Sequence, residues 1–415
     1  MNPTFTSLSS TETCHPLTRA SRMALKLLGT LPYGQLDIQF PDGSTQLFGR
    51  SAPADTTLRA GIRIKDWRVF DRSLQSGDIG FAESYMDDQW SSPDLAQLLR
   101  LFIVNREHLE KTIYGSWWGS LVYRVKHFLN RNSRKGSAKN IHAHYDLGNL
   151  FYNLWLDPSM SYSSAWFNGD FNIDLMQAQH AKARRALEQV HASENTRILE
   201  IGCGWGGLAE LAISEYGAQV KGITLSNSQL DWTRERIAKL GSTRKNDFVY
   251  QDYRDLSAEH TDRPFDAIVS IEMIEAVGQE YWSSYFDTLH TCLKSGGRAC
   301  IQTITIRDDL FDRYVHSTDF IQQYIFPGGL LPSKKEFVLH AHKAGLVVEN
   351  SMAFGKDYAE TLRRWRTDFL KNEKTVLQQK FDTRFIRTWE FYLAYCEAAF
   401  DEGNTDVVQF TLVKP

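Results

Sequence analysis

Cysteine is scarce in this chain and it is scattered. Five occur in 415 residues (Cys14, Cys203, Cys292, Cys300 and Cys396), with no C-x-x-C pair and no metal-ligand spacing. That pattern excludes a zinc module and a disulfide framework; it implies reduced thiols in a cytoplasm and no metal site. Long apolar runs are absent as well. No stretch approaches the roughly 18 residues of a membrane span, and no basic-then-apolar leader opens the chain. Contact with a membrane is therefore expected to be peripheral, and no nucleic-acid partner is expected. The remaining composition is that of a soluble globular protein, with 42% apolar and 23% charged residues. Its length is comfortable for two domains. Aromatics reach 13%, with 11 Trp, and rings in that number serve apolar or cationic ligands as well as cores.

The most informative stretch is Thr196-Arg-Ile-Leu-Glu-Ile-Gly-Cys-Gly-Trp-Gly-Gly207. Its apolar run at 198–201 reads as a buried parallel strand, and residues 208–216 continue at helical spacing. A strand, a glycine turn and a helix open a nucleotide-type crevice, where missing Cβ atoms let a ligand approach the backbone. The spacing Gly202-x-Gly204-x-x-Gly207 also fits a dinucleotide fingerprint. Such a site needs an acidic residue at the end of the second strand, yet the segment 219–226 ends Thr224-Leu225-Ser226 without one. Glu200, two places before the first glycine, is instead the pattern of S-adenosylmethionine enzymes. The bland alternative is a glycine-rich turn with no ligand.

Around this stretch the chain alternates: helix 177–190, helix 208–216, strand 219–225, helix 228–240, strands 247–251 and 265–271, helix 280–292 and strand 298–306. This βαβ alternation predicts an α/β fold, a doubly wound Rossmann-like sheet with helical insertions. Late helices are expected at 358–371 and 381–400, with a last strand at 407–412. Upstream, the alternating segments on either side of Pro41-Asp42-Gly43 predict a hairpin, residues 62–70 another strand, and 71–129 helices. The expected organisation is a disordered tail (1–20), a small N-terminal α+β domain (21–130), a basic linker (131–140) and an S-adenosylmethionine-type α/β domain (141–415). Between Leu121 and Lys139 lie Arg124, Lys126, Arg131, Arg134, Lys135 and Lys139 with no acid, close to Trp117, Trp118 and Phe128. Such a segment suits anionic head groups as well as it suits a solvated linker.

With these pieces in place, the chain resembles the cyclopropane-fatty-acyl-phospholipid synthase and mycolic acid cyclopropane synthase family. The likeness rests on His144-Tyr-Asp-Leu-Gly-Asn149, Leu156-Asp-Pro158, Met160-Ser-Tyr-Ser163, the 200–206 glycine loop, Gly222-Ile-Thr-Leu-Ser226 with Gln229, Asp252-Tyr-Arg-Asp255, Glu275 before Val277-Gly278, and Tyr324-Ile-Phe-Pro327 with Leu331-Pro-Ser333. The resemblance implies methyl transfer from S-adenosylmethionine to the double bond of an unsaturated phospholipid acyl chain at the inner membrane surface. A cyclopropane ring is the expected product; a methylene or methyl branch, and a homodimer, stay open. It further implies that Tyr162 and Ser163 meet the amino-acid end of the cofactor, Gly202 and Gly204 its backbone-facing side, Thr224, Leu225 and Gln229 the ribose, and Asp252 and Tyr253 the adenine, with Glu200 and Cys203 also among the cofactor-binding residues. Trp166, Phe167, Tyr281, Tyr324 and Phe326 are candidates for an aromatic wall that shields a carbocation from water.

Closing the ring requires a base. In the family this is a bound bicarbonate, and by likeness Glu275, Ile304 and Tyr324 would help to hold it. The other two ligand positions, a Cys and a His, are here Ser164 and Gln302, so the bicarbonate site is not carried over intact. A second acid, Glu272, stands three residues before Glu275. If the segment turns as a helix, the two carboxylates share a face and repel, and Glu272 is then a built-in base; otherwise it is a surface acid. Cys396 matches a family cysteine, but attack by the π bond needs no thiol, and it reads more simply as a packed residue. Two rival readings are a NAD-dependent oxidoreductase, disfavoured by the missing acid, and a lipid- or S-adenosylmethionine-binding protein that has lost catalysis through Ser164 and Gln302.

Overall fold

A computed structural model describes residues 18–49, 58–113, 147–243, 245–256 and 263–415. The chain divides into two compact units, Met1–Ser116 and Trp117–Pro415. The expected linker, the basic segment and His144 of the first motif fall outside the described residues.

The first unit runs α1 (Arg19–Leu28), β1 (Gln35–Gln39), β2 (Thr45–Gly49), β3 (Arg59–Ile64), α2 (Arg68–Met86), β4 (Trp90–Ser91), α3 (Leu95–Val104) and α4 (Arg106–Ile113). Its sheet has the order β2-β1-β3-β4. The hairpin forms as its alternation predicts, with Ile38 opposite Gln46, and Leu36, Ile38, Ile62 and Ile64 turned into the core. The strand expected over 62–70 ends at Ile64 instead. Asp66 Oδ1 accepts from the Arg68 N–H at 2.9 Å and turns the chain into α2, while Trp67 stacks on Phe40.

The second unit runs α5 (Asn149–Tyr152), α6 (Leu175–Gln189), β5 (Arg197–Ile201), α7 (Gly207–Ser214), β6 (Gln219–Thr224), α8 (Asn227–Ala238), β7 (Asp247–Tyr250), β8 (Phe265–Ile271), α9 (Trp282–Cys292), β9 (Leu293–Ile306), α10 (Asp308–Val315), α11 (Phe320–Tyr324), α12 (Lys334–Lys343), β10 (Val347–Ala353), α13 (Gly355–Lys371), α14 (Glu373–Gln378), α15 (Thr383–Asp401) and β11 (Thr405–Val413). The seven strands lie in the order β10-β11-β9-β8-β5-β6-β7. From β9 to β7 the pairs are parallel; β11 and β10 close the other edge antiparallel. The chain leaves β5 for β6 and β7, then returns to β8 on the other side. The carboxyl ends of β5 and β8 therefore face a topological switch point, where open α/β sheets bind ligands. Strand β10 has no sequence-based counterpart above. It pairs with β11 alone, and Glu349, Asn350 and Ser351 are exposed, as suits an edge, so the apolar alternation that reveals a strand is missing. Among the described residues, no helix is long and apolar enough to cross a membrane.

Candidate functional site

A cavity of about 1250 Å³, including its open mouth, lies at the switch point. Met160–Ser163 and α6 form one wall, the 200–207 loop the floor, Ile223–Leu225 with Gln229 and Gln251–Arg254 a second wall, and Ile271–Met273 the side toward β9. Tyr162, Ser163, Glu200, Gly202, Cys203, Gly204, Thr224, Leu225, Gln229, Asp252 and Tyr253 all line it.

Local chemistry explains why. Gly204 has φ +52, and a Cβ built there would enter open space, so the backbone is left bare toward the cavity. Gly206 is left-handed (φ +83) as the residue before α7, and a Cβ there would press on Thr233 Cγ2 at 2.8 Å. Trp205 donates from Nε1 to Asn149 Oδ1 at 2.8 Å, so the last residue of the first motif anchors the glycine loop. At the end of β6, Thr224 Oγ1 donates to Gln229 Oε1 at 2.9 Å and accepts from the Ser226 N–H at 3.2 Å, which sets the Gln229 amide. Asp252 caps the following turn and pairs with Arg254, both side chains being largely buried.

The 161–167 loop is clamped from two sides. From α6, Gln179 Nε2 donates to the Ser163 carbonyl at 2.8 Å and Lys182 Nζ to Ser163 Oγ at 2.5 Å. From α13, Asp357 Oδ1 accepts from the Phe167 N–H at 2.6 Å and Thr361 Oγ1 from the Ala165 N–H at 3.1 Å. Between the clamps, Tyr162 packs among Tyr152, Trp155 and Trp365, and its hydroxyl meets that of Tyr392 at 2.7 Å. Tyr162, Trp205 and Tyr253 are the rings on the cavity; Trp166, Phe167, Tyr281, Tyr324 and Phe326 are not among its lining residues.

The second cluster sits where β8 and β9 end side by side. Glu272 is not on a helical turn as expected. It follows β8 in a left-handed conformation (φ +49), and the 3-10 turn begins later, at Ile274. Its carboxylate lies half-buried on the cavity side. Oε1 accepts from the Ser164 N–H at 2.9 Å and from Gln302 Nε2 at 2.7 Å, and Oε2 accepts from the Tyr358 hydroxyl at 2.7 Å. Glu275 points instead to β9, where Oε1 accepts from Thr303 Oγ1 and the Ile304 N–H. Its Oε2 is buried with no partner among the described residues.

Charge separates the acids. Burial pushes Glu275 up to about 8, and the charge of Glu272 adds to the shift. Burial likewise raises Glu200 to about 8, opposed by Lys182. Glu272 is also raised by burial, but Lys182 and its three hydrogen-bond donors oppose that shift. Lys182 is drawn down to about 8 by burial, against the charges of Glu272, Asp157 and Glu200. Burial thus favours the protonated forms of Glu275 and Glu200, and Glu272, ringed by donors and facing Lys182, is the carboxylate best provided for as an anion.

Of the residues expected to hold bicarbonate, Ser164, Gln302, Ile304 and Glu275 come together around Glu272. The Ser164 N–H and Gln302 Nε2 donate to Glu272 and the Ile304 N–H to Glu275, while the Ser164 hydroxyl donates to the Ala165 carbonyl, so a carboxylate of this chain takes the donors expected to hold bicarbonate. Tyr324 ends α11 with its ring 5.5 Å from that of Phe320; the tyrosine on the carboxylate is Tyr358. Sequence reasoning missed it, although polar Asp357 and Thr361 on an otherwise apolar face of α13 were a signal. Gln179 and Lys182, four and seven residues after the start of α6, were likewise missed. Cys396 lies in α15 away from the cavity lining, and burial pushes its thiol far up.

The residues do fit S-adenosylmethionine: a bare glycine floor, and a buried Glu200 Oε2 with no partner among the described residues. Comparison with known proteins agrees. The profile of the mycolic acid cyclopropane synthetase family matches residues 132–410. A tuberculostearic acid methyltransferase of Mycobacterium tuberculosis is 36% identical over 346 residues, covering 81% of this chain and 79% of its own. The cyclopropane-fatty-acyl-phospholipid synthase of Escherichia coli K12 is 34% identical over 351 residues, covering 84% and 85%. Among solved structures, the mycolic acid cyclopropane synthase CmaA1 complexed with SAH and CTAB superposes with a TM-score of 0.61 at 30% identity, over 66% of this chain and 97% of that one.

Proposed function

We propose a reaction for this chain, which belongs to the mycolic acid cyclopropane synthetase family: conversion of a double bond in an unsaturated phospholipid acyl chain to a cyclopropane, with Glu272 as the base. The enzyme is an S-adenosylmethionine-dependent C-methyltransferase. When bound, S-adenosylmethionine supplies an electrophilic methyl group. Alkylation leaves the acyl chain cationic, and ring closure then needs one proton removed from the added carbon, whose C–H electron pair forms the last ring bond. Glu272 accepts that proton. The observation that carries this reading is its carboxylate, held by Ser164, Gln302 and Tyr358 beside the cavity that every expected cofactor residue lines. A tethered carboxylate needs no capture from solution at each turnover. Tyr162, Trp205 and Tyr253 supply π faces that favour a cation over water. Residues 141–415 are read as the catalytic domain, working from the cytoplasmic face of the membrane.

The test is incubation with S-adenosylmethionine and monounsaturated phospholipid, followed by mass spectrometry. A gain of one CH₂ without residual unsaturation is expected; the same gain with a double bond retained overturns the ring as product in favour of a methylene branch. Glu272→Gln should lower turnover by about two to four orders of magnitude with little change in cofactor affinity. The wild-type enzyme should work equally well in carbonate-free buffer. An active Glu272→Gln variant, together with a wild type that needs added bicarbonate, would remove Glu272 from the role.

A further inference from the structure

We propose that Arg185, Gln409 and Gln302 form a one-directional hydrogen-bond relay that presents an amide N–H to Glu272, making Arg185 and Gln409 positioning residues for the base. This rests on the reading of Glu272 given above. The relay crosses the core from α6 through β11 to β9. Arg185 Nη1 donates to Gln409 Oε1 at 2.5 Å, Gln409 Nε2 to Gln302 Oε1 at 2.9 Å, and Gln302 Nε2 to Glu272 Oε1 at 2.7 Å. Gln409 and Gln302 are opposed partners on paired strands, and both are fully buried; Arg185 is 8% exposed.

The direction of the chain follows from what its end groups can do. A guanidinium carries donors only, so the amide end of Gln409 that meets Arg185 must be oxygen. Cys300 Sγ, a weak donor whose thiol is kept protonated by burial, approaches the same oxygen at 4.0 Å. The other end of Gln409 also meets the Lys182 main-chain carbonyl at 3.2 Å, which can only accept. Both constraints give Gln409 the same orientation. Its N–H then requires the oxygen of Gln302, and Gln302 must turn its own N–H toward position 272. The amide sense therefore does not depend on telling nitrogen from oxygen at either glutamine. The only group that suits the end of such a chain is an acceptor, and a carboxylate in its ionised form suits it best.

The groups facing Glu272 divide by element. Lys182 from α6, Tyr358 from α13 and the Ser164 N–H favour its anion, and Glu275 from the 3-10 turn faces it as the acid whose proton affinity the charge of Glu272 raises. Glu200 and Asp157 flank Lys182 rather than Glu272. Gln302 is the contact whose sense is dictated from a distance. A network that served only to knit the core would affect stability when altered and leave the proton affinity of Glu272 where it was.

Gln409→Glu is the informative variant. It is nearly isosteric and keeps Arg185 paired, but both of its oxygens accept. Gln302 must then turn its N–H toward residue 409 and its carbonyl toward Glu272. The acid limb of kcat against pH should move up by roughly one pH unit or more, with activity recovered at high pH. Affinity for S-adenosylhomocysteine, measured by calorimetry, should be unchanged. Gln302→Met, which removes the N–H directly, should give the same shift. A wild-type acid limb in Gln409→Glu beside a shifted one in Gln302→Met would overturn the relay while leaving Glu272 as base. An active Glu272→Gln variant would instead refute the base reading. Should Gln409→Glu fail to fold, ¹⁵N-glutamine spectra of the wild-type protein decide. The side-chain nitrogens of Gln302 and Gln409 should titrate together with one midpoint and lose that titration in Glu272→Gln; a Gln409 signal that does not titrate overturns the proposal.

Discussion

Two carboxylates three residues apart meet opposite surroundings, and backbone geometry is the cause. Glu272 takes a left-handed conformation that costs a non-glycine residue on the order of 1 kcal/mol or more. Its own N–H bonds the Gln302 carbonyl at 2.8 Å, and its side chain gathers three donors. Glu275, aimed along β9, has an oxygen with no partner among the described residues, and burial favours its protonated form. That assignment predicts a pH dependence of stability. Because burial raises the folded-state affinity of Glu275 for its proton, its stabilising contribution is fully present below the ordinary carboxylate range and is lost as pH rises toward about 8. Glu275→Gln mimics the protonated form, so its melting temperature should fall less than that of the wild type between pH 5 and pH 8. Thermal melts across that window check it; parallel curves would mean that Glu275 is ionised in the folded protein.

Elements hold the site through loops. The glycine loop joins β5 to α7 at the switch point, and its floor is bare because Gly204 has no side chain and a positive φ. Gly204→Val adds a β-branched side chain in a conformation such residues avoid, and fills the space in front of the backbone. S-adenosylhomocysteine binding should weaken at least tenfold, about 1.4 kcal/mol. Unchanged calorimetric affinity in a folded variant would remove the loop from the binding site. Helices α6 and α13 act together on the 161–167 loop, one through Gln179 and Lys182, the other through Asp357 and Thr361. The α6 side of this clamp was partly legible, since Tyr162 and Ser163 were expected at the cofactor. The α13 side was not, because Asp357 lies 190 residues from its partner Phe167, and no local pattern reports so long a contact.

At the scale of the molecule, the basic segment at 121–139 is the proposed contact with a lipid surface. Changing Arg131, Arg134 and Lys135 together to Ser should weaken binding to anionic vesicles by roughly 3 kcal/mol and leave soluble cofactor binding intact; unaffected vesicle flotation would return the segment to a plain linker. The sequence by itself determined the α/β class, the succession of the central strands along the chain and the glycine loop. Each of these is written in short-range patterns: apolar runs, turn glycines and caps. The tertiary structure alone decided the surroundings of Glu272. Ser164, Gln302, Tyr358, Lys182, Gln409 and Arg185 come from five separate parts of the chain, and their meaning depends on which donor faces which acceptor. A one-dimensional pattern records that Glu272 is present; only the packed core determines which donors surround its carboxylate.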